Sequence, residues 1–183
     1  MQGLFFVKKG RVKVIFNGVN GKEQIVRLAG KGHVLGHRGL MDETYPVSAV
    51  AMDESDICFV DNEIMYEALY NNIQLTLALM VFYSKELRAM EERMTFLTQM
   101  SNREKLAYFI LYLKDVFGYS PSEKEYIING YINKEELSSL TGISVQNIDE
   151  QITDFEKNKF ISVNNGSVNI ISEEKLQEMI DSY

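Results

Sequence analysis

The sequence has no tryptophan, a single cysteine, two prolines and two histidines in 183 residues. One cysteine, Cys58, excludes an internal disulfide and cannot alone hold an iron–sulfur cluster or a structural zinc. Its apolar neighbours in DICFVD predict a buried strand position. No apolar run reaches the roughly 18 to 20 residues that span a bilayer, and no charged-then-apolar leader opens the chain. The expectation is a cytoplasmic protein with no membrane partner. Catalytic signatures are missing too: the glycines of GKGHVLGHRG lack the Gly-Lys-Ser/Thr ending of a phosphate loop, and no nucleophile or carboxylate pair has a positional rationale. The chain therefore reads as a non-enzyme without cofactor or metal.

What is present is ordinary for a globular protein, with 45% hydrophobic and 25% charged residues. The length suits one large or two small domains. The net charge of −7 is unevenly placed, since residues 101–183 hold 8 lysines and arginines against 14 aspartates and glutamates. That is the wrong sign for a binder driven by phosphate contacts alone.

From Leu4 to Val60 short alternating runs end in turn residues: LFFVKKG, RVKVIFNG, QIVRLAGKG, VSAVAMD and DICFVD. Each predicts a strand of four to seven residues, and together they predict a sandwich or barrel. From Asn62 to Leu97 proline and glycine vanish, and the period changes. Ile73, Thr76, Met80, Tyr83, Leu87, Met90, Met94 and Leu97 step by alternating threes and fours, the seam of a coiled coil. Leu75, Leu79 and Phe82 form a second stripe suited to packing on the strands. The spacing predicts a helix that dimerises through Met80, Tyr83, Leu87, Met90, Met94 and Leu97.

A capping box at Ser101 and Glu104 predicts a further helix to Phe117, stopped by Gly118 and Pro121. A strand over 126–132 follows, then a helix capped by Asn133. In LSSLTGISVQNIDEQITDFEKNK, the residues Ser138, Gly142 and Ile148 fall at relative positions 1, 5 and 11. A helix-turn-helix needs a small residue where its helices cross, a glycine at the turn and a branched apolar residue on the second helix. Two strands, 160–163 and 167–171, flank the hairpin signal Asn165-Gly166, and a last helix starts after Ser172. Three helices and a hairpin predict a winged helix-turn-helix.

In this order the segments resemble the Crp/Fnr family, the cyclic-AMP receptor protein and fumarate–nitrate regulators, over nearly the whole chain. LFFVKKGRVKV is similar to the family's Tyr/Phe-x-x-x-x-Gly-x-Val strand pair. KGHVLGHRGLMDETYPVSAVA resembles its phosphate-binding segment, and YINKEELSSLTGISVQNIDEQITDFEKN its reading head. The resemblance implies an α+β protein: a cyclic-nucleotide-binding-like β-roll over 1–70, a dimerisation helix over 71–100 and a winged helix-turn-helix over 101–183. It also implies that the roll is short at its start by roughly forty residues.

The departures are informative. Where cyclic-AMP binders have Gly-Glu and Arg-Ser or Arg-Thr, this chain has Gly36-His37 and Val47-Ser48. Val47 in place of arginine removes the bidentate partner of a cyclic phosphate. The effector pocket around Gly36, His37, Val47 and Ser48 is therefore expected to be degenerate for cyclic AMP. His33, His37 and Arg38 offer another anion or metal cluster, but two histidines four apart in a strand–turn region read more simply as surface residues.

In the reading head, the family's Arg-Glu-Thr-Val-Ser-Arg is replaced by Val145-Gln146-Asn147-Ile148-Asp149-Glu150. Two readings follow. In one, Ser144, Gln146, Asn147 and Glu150 meet a palindromic operator with help from Lys134 and Lys157, while Asp149, Asp154 and Glu156 point away from the duplex. In the other, the domain no longer binds DNA and is an acidic protein-interaction module. The expected partners are DNA, a second copy of the chain, an unknown small-molecule effector and, as a candidate, RNA polymerase.

Overall fold

The computed structural model describes residues 2–18, 21, 23–37, 44–121, 126–131, 133–164 and 167–181. Two antiparallel sheets build the N-terminal roll. In one, β1 (Gly3–Lys9) lies between β4 (Val34–Leu35) and β6 (Asp56–Asp61). In the other, β2 (Val12–Asn17) lies between β3 (Glu23–Ala29) and β5 (Ser48–Ala51). The inner faces meet in a small core of Val7, Val12, Val14, Ala29 and Leu35. Gly10 turns β1 into β2 at φ 91°, and a Cβ there would lie 2.2 Å from the Ser55 hydroxyl, so glycine is required twice over. Cys58 is half-buried rather than buried, because β6 is an outer strand of its sheet among the described residues.

One irregularity decides what the outer face of β3 presents. Val14 pairs with Arg27 and Ile15 with Ile25, so Val26 is the extra residue of a β-bulge. The bulge lets Ile25 face outward with Ile15 while Arg27 faces inward with Val14.

The long helical stretch is two helices, α1 (Asn62–Asn71) and α2 (Ile73–Gln99). Asn72 divides them without proline or glycine. Its backbone is extended, and its side-chain oxygen accepts from the Leu75 amide at 3.1 Å, which caps α2. An asparagine that can satisfy a free amide competes with helix continuation. The Thr76 hydroxyl then donates to the Leu69 carbonyl at 2.7 Å and fixes the corner.

The C-terminal module follows the expected order. α3 (Asn102–Phe117) carries the full Ser101–Glu104 capping box and ends at Gly118. β7 (Tyr119–Pro121) and β8 (Tyr126–Tyr131) join β9 (Ile161–Asn164) and β10 (Ser167–Ile170) in a sheet ordered β7-β8-β10-β9. Residue 132 and the Asn165-Gly166 turn lie outside the described residues. Between β8 and β9 stand α4 (Lys134–Thr141) and α5 (Val145–Lys157), and α6 (Glu173–Asp181) closes the chain as described.

A larger core unites both modules. Ile15, Ile25 and Leu28 from the outer face of the β2–β3 sheet join Phe109, Ile110 and Leu140 from α3 and α4, with Ile148 and Phe155 of α5. Polar ties reinforce the seam: Lys13 Nζ lies 2.6 Å from Glu136 Oε1, and the Ile25 amide donates to the Ser139 hydroxyl at 2.9 Å. Arg93 of α2 donates to the Val26 carbonyl at 2.6 Å, with its guanidinium 4.7 Å from the Tyr112 ring centroid.

Candidate nucleic-acid interface and ligand cavity

The reading head is assembled by caps. Asn133 and Glu136 form a capping box on α4, and Gly142 ends that helix in the left-handed region at φ 72°. Ser144 then caps α5, its hydroxyl accepting from the Asn147 amide at 3.3 Å. Ile148 and Phe155, both fully buried, anchor α5; such side chains contribute about 1.5 to 3 kcal/mol each. The opposite face of α5 stays open, with Gln146, Glu150 and Lys157 exposed and Asn147 half-buried.

The carboxylates of α5 are each engaged. Asp154 pairs with Arg103 of α3, whose guanidinium also lies over the Phe155 and Phe160 rings at 5.3 and 5.7 Å. Glu156 accepts the Val163 amide of β9 at 3.0 Å, tying the helix to the wing. Asp149 pairs with Lys134, so a lysine expected at phosphate is joined to an acid of the same face. Gln146 donates to Glu150 at 3.2 Å, one turn along the helix. Two of the troublesome acids are thus drawn into the module's own framework, and a third is charge-compensated at its rim.

On α2 the stripe divides. Ile73, Met80, Leu87 and Met94, seven residues apart, are 69%, 61%, 59% and 67% exposed, and Met90 is exposed beside them. Tyr83 and Leu97 instead face their own chain. Tyr83 donates to the His37 carbonyl at 2.6 Å, and Leu97 packs against the larger core. A helix that must serve both a roll and an outer face gives part of a 3–4 seam to each.

The roll holds a half-open cavity of about 810 Å³, and Gly36, His37, Val47 and Ser48 all line it. Its wall is mostly apolar, with Phe5, Val14 and Ile57 prominent. His37 is not a surface residue: it is 4% exposed, wedged edge-on against Phe82 and Tyr83 of α2. Arg38 lies outside the described residues. A different arginine, Arg27, 8% exposed, enters the wall from β3. It donates to the Val34 carbonyl at 3.0 Å and meets Glu86 of α2 at 3.4 Å. Sequence reasoning missed Arg27 because an arginine in a strand defaults to solvent, whereas here it alternates onto the inner face with Ala29, opposite Val14.

His33 sits beside this wall. Burial, and then the neighbouring Arg27 guanidinium, hold its pKa below the ordinary histidine value against the opposing pull of Glu86. Its Nδ1 accepts the Gly30 amide at 3.2 Å, a bond that only an unprotonated Nδ1 can make. Among the described residues no cluster of histidine, cysteine, aspartate and glutamate could hold a metal ion, and no helix is long and apolar enough to cross a membrane.

Residues 1–72 match the model of the cyclic nucleotide-binding domain, and residues 104–179 that of the Crp-like helix-turn-helix domain. The transcriptional activator protein anr of Pseudomonas aeruginosa is 28% identical over 171 residues, covering 92% of this chain and 68% of its own length. The fumarate and nitrate reduction regulatory protein of Vibrio cholerae is 23% identical over 182 residues, covering 98% and 71%. Among solved structures, FixK2 from Bradyrhizobium japonicum superposes with a TM-score of 0.83 at 15% identity, covering 97% of this chain and 87% of its own. TTHB099, a CRP-family transcriptional regulator from Thermus thermophilus, gives 0.79 at 19%, covering 98% and 88%.

A roll with an inner cavity, a long helix and a winged reading head define a DNA-binding transcription regulator. The chain belongs to the Crp/Fnr family.

Proposed function

We propose that the protein is a homodimeric, cytoplasmic regulator that grips a two-fold DNA site through the N-terminal turn of α5 and answers to an effector other than cyclic AMP. The domain division is 1–70 for the roll, 71–100 for the dimerisation helix and 101–183 for the reading head. The carrying observation is the disposition of α5. Gln146, Asn147 and Glu150 lie on its open side, while Asp154 and Glu156 are held by Arg103 and the wing. Glutamine and asparagine can read adenine by paired hydrogen bonds, and glutamate can accept from cytosine N4. The amide-rich start of α5 favours a nearby phosphate, and Lys157 adds positive charge in the last turn, while the charge of Lys134 is offset by Asp149. The exposed heptad stripe of α2 supports pairing through Met80, Leu87, Met90 and Met94.

Val47 supports the effector reading, since it stands where cyclic-AMP binders place arginine and offers no hydrogen bond to a cyclic phosphate. RNA polymerase is a natural partner for a regulator of this kind. Selection from genomic DNA fragments by the purified protein at low salt tests the proposal. The expected product is a palindrome with half-sites about one helical turn, roughly 34 Å, apart, together with no heat of binding for cyclic AMP. A folded dimer that enriches no sequence overturns the DNA reading, and saturable cyclic-AMP binding overturns the effector reading.

A further inference from the structure

We infer that His33 is a proton-operated latch between the roll and the reading head: its unprotonated ring holds the turn after β3 against α3, and protonation releases it. The latch rests on the reading of the chain as a DNA-binding regulator only for its consequence, a weaker grip on DNA in mild acid. The chain has two histidines, His33 and His37, and histidine is the side chain that ordinarily changes charge between about pH 5 and 8. The turn runs from Gly30 to His33. The Gly30 amide donates to His33 Nδ1 at 3.2 Å, and the His33 amide donates back to the Gly30 carbonyl at 3.1 Å. Two further bonds tie the turn to β1. The Gly32 amide donates to the Val7 carbonyl at 2.8 Å, and the Val7 amide to the His33 carbonyl at 3.0 Å.

The second observation is where this turn is seated. Gly30 presses on the last turn of α3 so closely that a Cβ there would lie 2.1 Å from the Val116 carbonyl oxygen. The residue whose amide His33 holds is therefore the residue that meets the reading head. A proton on Nδ1 turns the acceptor into a donor, so the Gly30 amide then faces an N–H and loses its bond. It also sets a second cation near Arg27 of β3, an effect that Glu86 of α2 opposes. Burial, and then Arg27, keep the ring unprotonated at neutral pH and place release on the acid side. The other charges around the turn are exposed or engaged. Lys8, Lys9, Lys31 and Asp115 are exposed, and Lys114 pairs with Glu173. Arg11 and Arg93 lie over the Phe117 and Tyr112 rings of α3, at 5.4 and 4.7 Å from the centroids.

The test follows amide hydrogen exchange of the full chain between about pH 8 and 5, corrected for the intrinsic pH dependence of exchange. In the wild type the amides of residues 28–33 and 113–118 are expected to lose protection roughly fivefold in acid, the equivalent of one lost hydrogen bond. His33→Gln, whose side-chain carbonyl can accept the same amide but takes no proton, is expected to keep its protection throughout. His37→Gln is expected to behave as the wild type. Should His33→Gln fail to fold, ring-nitrogen NMR of the wild type carries the test: Nδ1 should be unprotonated at neutral pH and gain its proton as the seam opens. On the genomic fragments recovered by selection, wild-type affinity should fall severalfold over the same range, and that of His33→Gln should not. Protection that ignores pH, that is lost equally in His33→Gln, or whose loss is abolished by His37→Gln instead overturns the latch. So does an Nδ1 already protonated at neutral pH. An opening seam with unchanged DNA affinity overturns its role in DNA binding. A chain that selects no DNA sinks the regulator reading alone, and the exchange data still decide the latch.

Discussion

At the scale of single residues, the reading head balances charge locally. Asp149 and Lys134 are each about half exposed, so their pairing contributes at most about 1 kcal/mol to stability. Its larger expected effect is on DNA binding, because it sets a carboxylate and a cation at the same rim. Asp149→Asn removes the acid and leaves Lys134 for phosphate. Operator affinity should rise, and the slope of log K against log salt should steepen by roughly one. Fluorescence anisotropy across a salt series measures both; an unchanged slope would place Lys134 off the interface.

His33 gives a second residue-scale prediction. A histidine whose folded pKa is depressed adds stability in full above its unfolded value of about 6.5, and that contribution is lost as pH falls through the folded pKa. His33→Gln should therefore flatten the loss of stability between neutral pH and mildly acidic pH, read by urea denaturation. An equal slope in both proteins would contradict the burial argument.

Among the elements, α2 has the clearest divided duty. Leu87 is open to solvent in the single chain, so Leu87→Glu should fold normally and yet remove an apolar knob from each side of a dimer. Sedimentation should show a monomer at micromolar concentration, with operator affinity falling by roughly a hundredfold or more as two linked half-site contacts become separate events. A Leu87→Glu dimer would move the interface elsewhere.

The elements also show what was legible in the sequence. The Ser101–Glu104 capping box, the Asn133 cap and the Gly142 turn were readable because caps and positive φ restrict residue type at fixed positions. The break at Asn72 was not, because an asparagine within a helical period carries no proline or glycine warning. The inward Arg27 was hidden for a different reason: an arginine on a strand is expected to face solvent, and here both faces of β3 are covered.

For the molecule as a whole, the expected units were visible but not the seam between them. Ile15, Ile25 and Leu28 look like ordinary strand residues, and nothing in their spacing says that α4 and α5 cover them. The structure merges roll and reading head into one core and adds Lys13–Glu136 and Ile25–Ser139 across the join. The cavity of the roll and α5 thus belong to one continuous packed body, with Tyr83 and Glu86 of α2 touching the wall residues His37 and Arg27. The acidic balance of residues 101–183 is reconciled in the same way, since carboxylates spent on Arg103, Lys13, Lys114 and the wing are not presented to a duplex.

Base reading by the first turn of an acidic α5 is measured by running the DNA selection in parallel with the wild type and with Gln146→Ala/Asn147→Ala, both confirmed as folded dimers. The wild type is expected to yield a palindrome. The double variant is expected to lose base preference at the matching half-site positions, with residual salt-sensitive binding retained. Recovery of the same motif by both proteins, or of no motif by either, would contradict it.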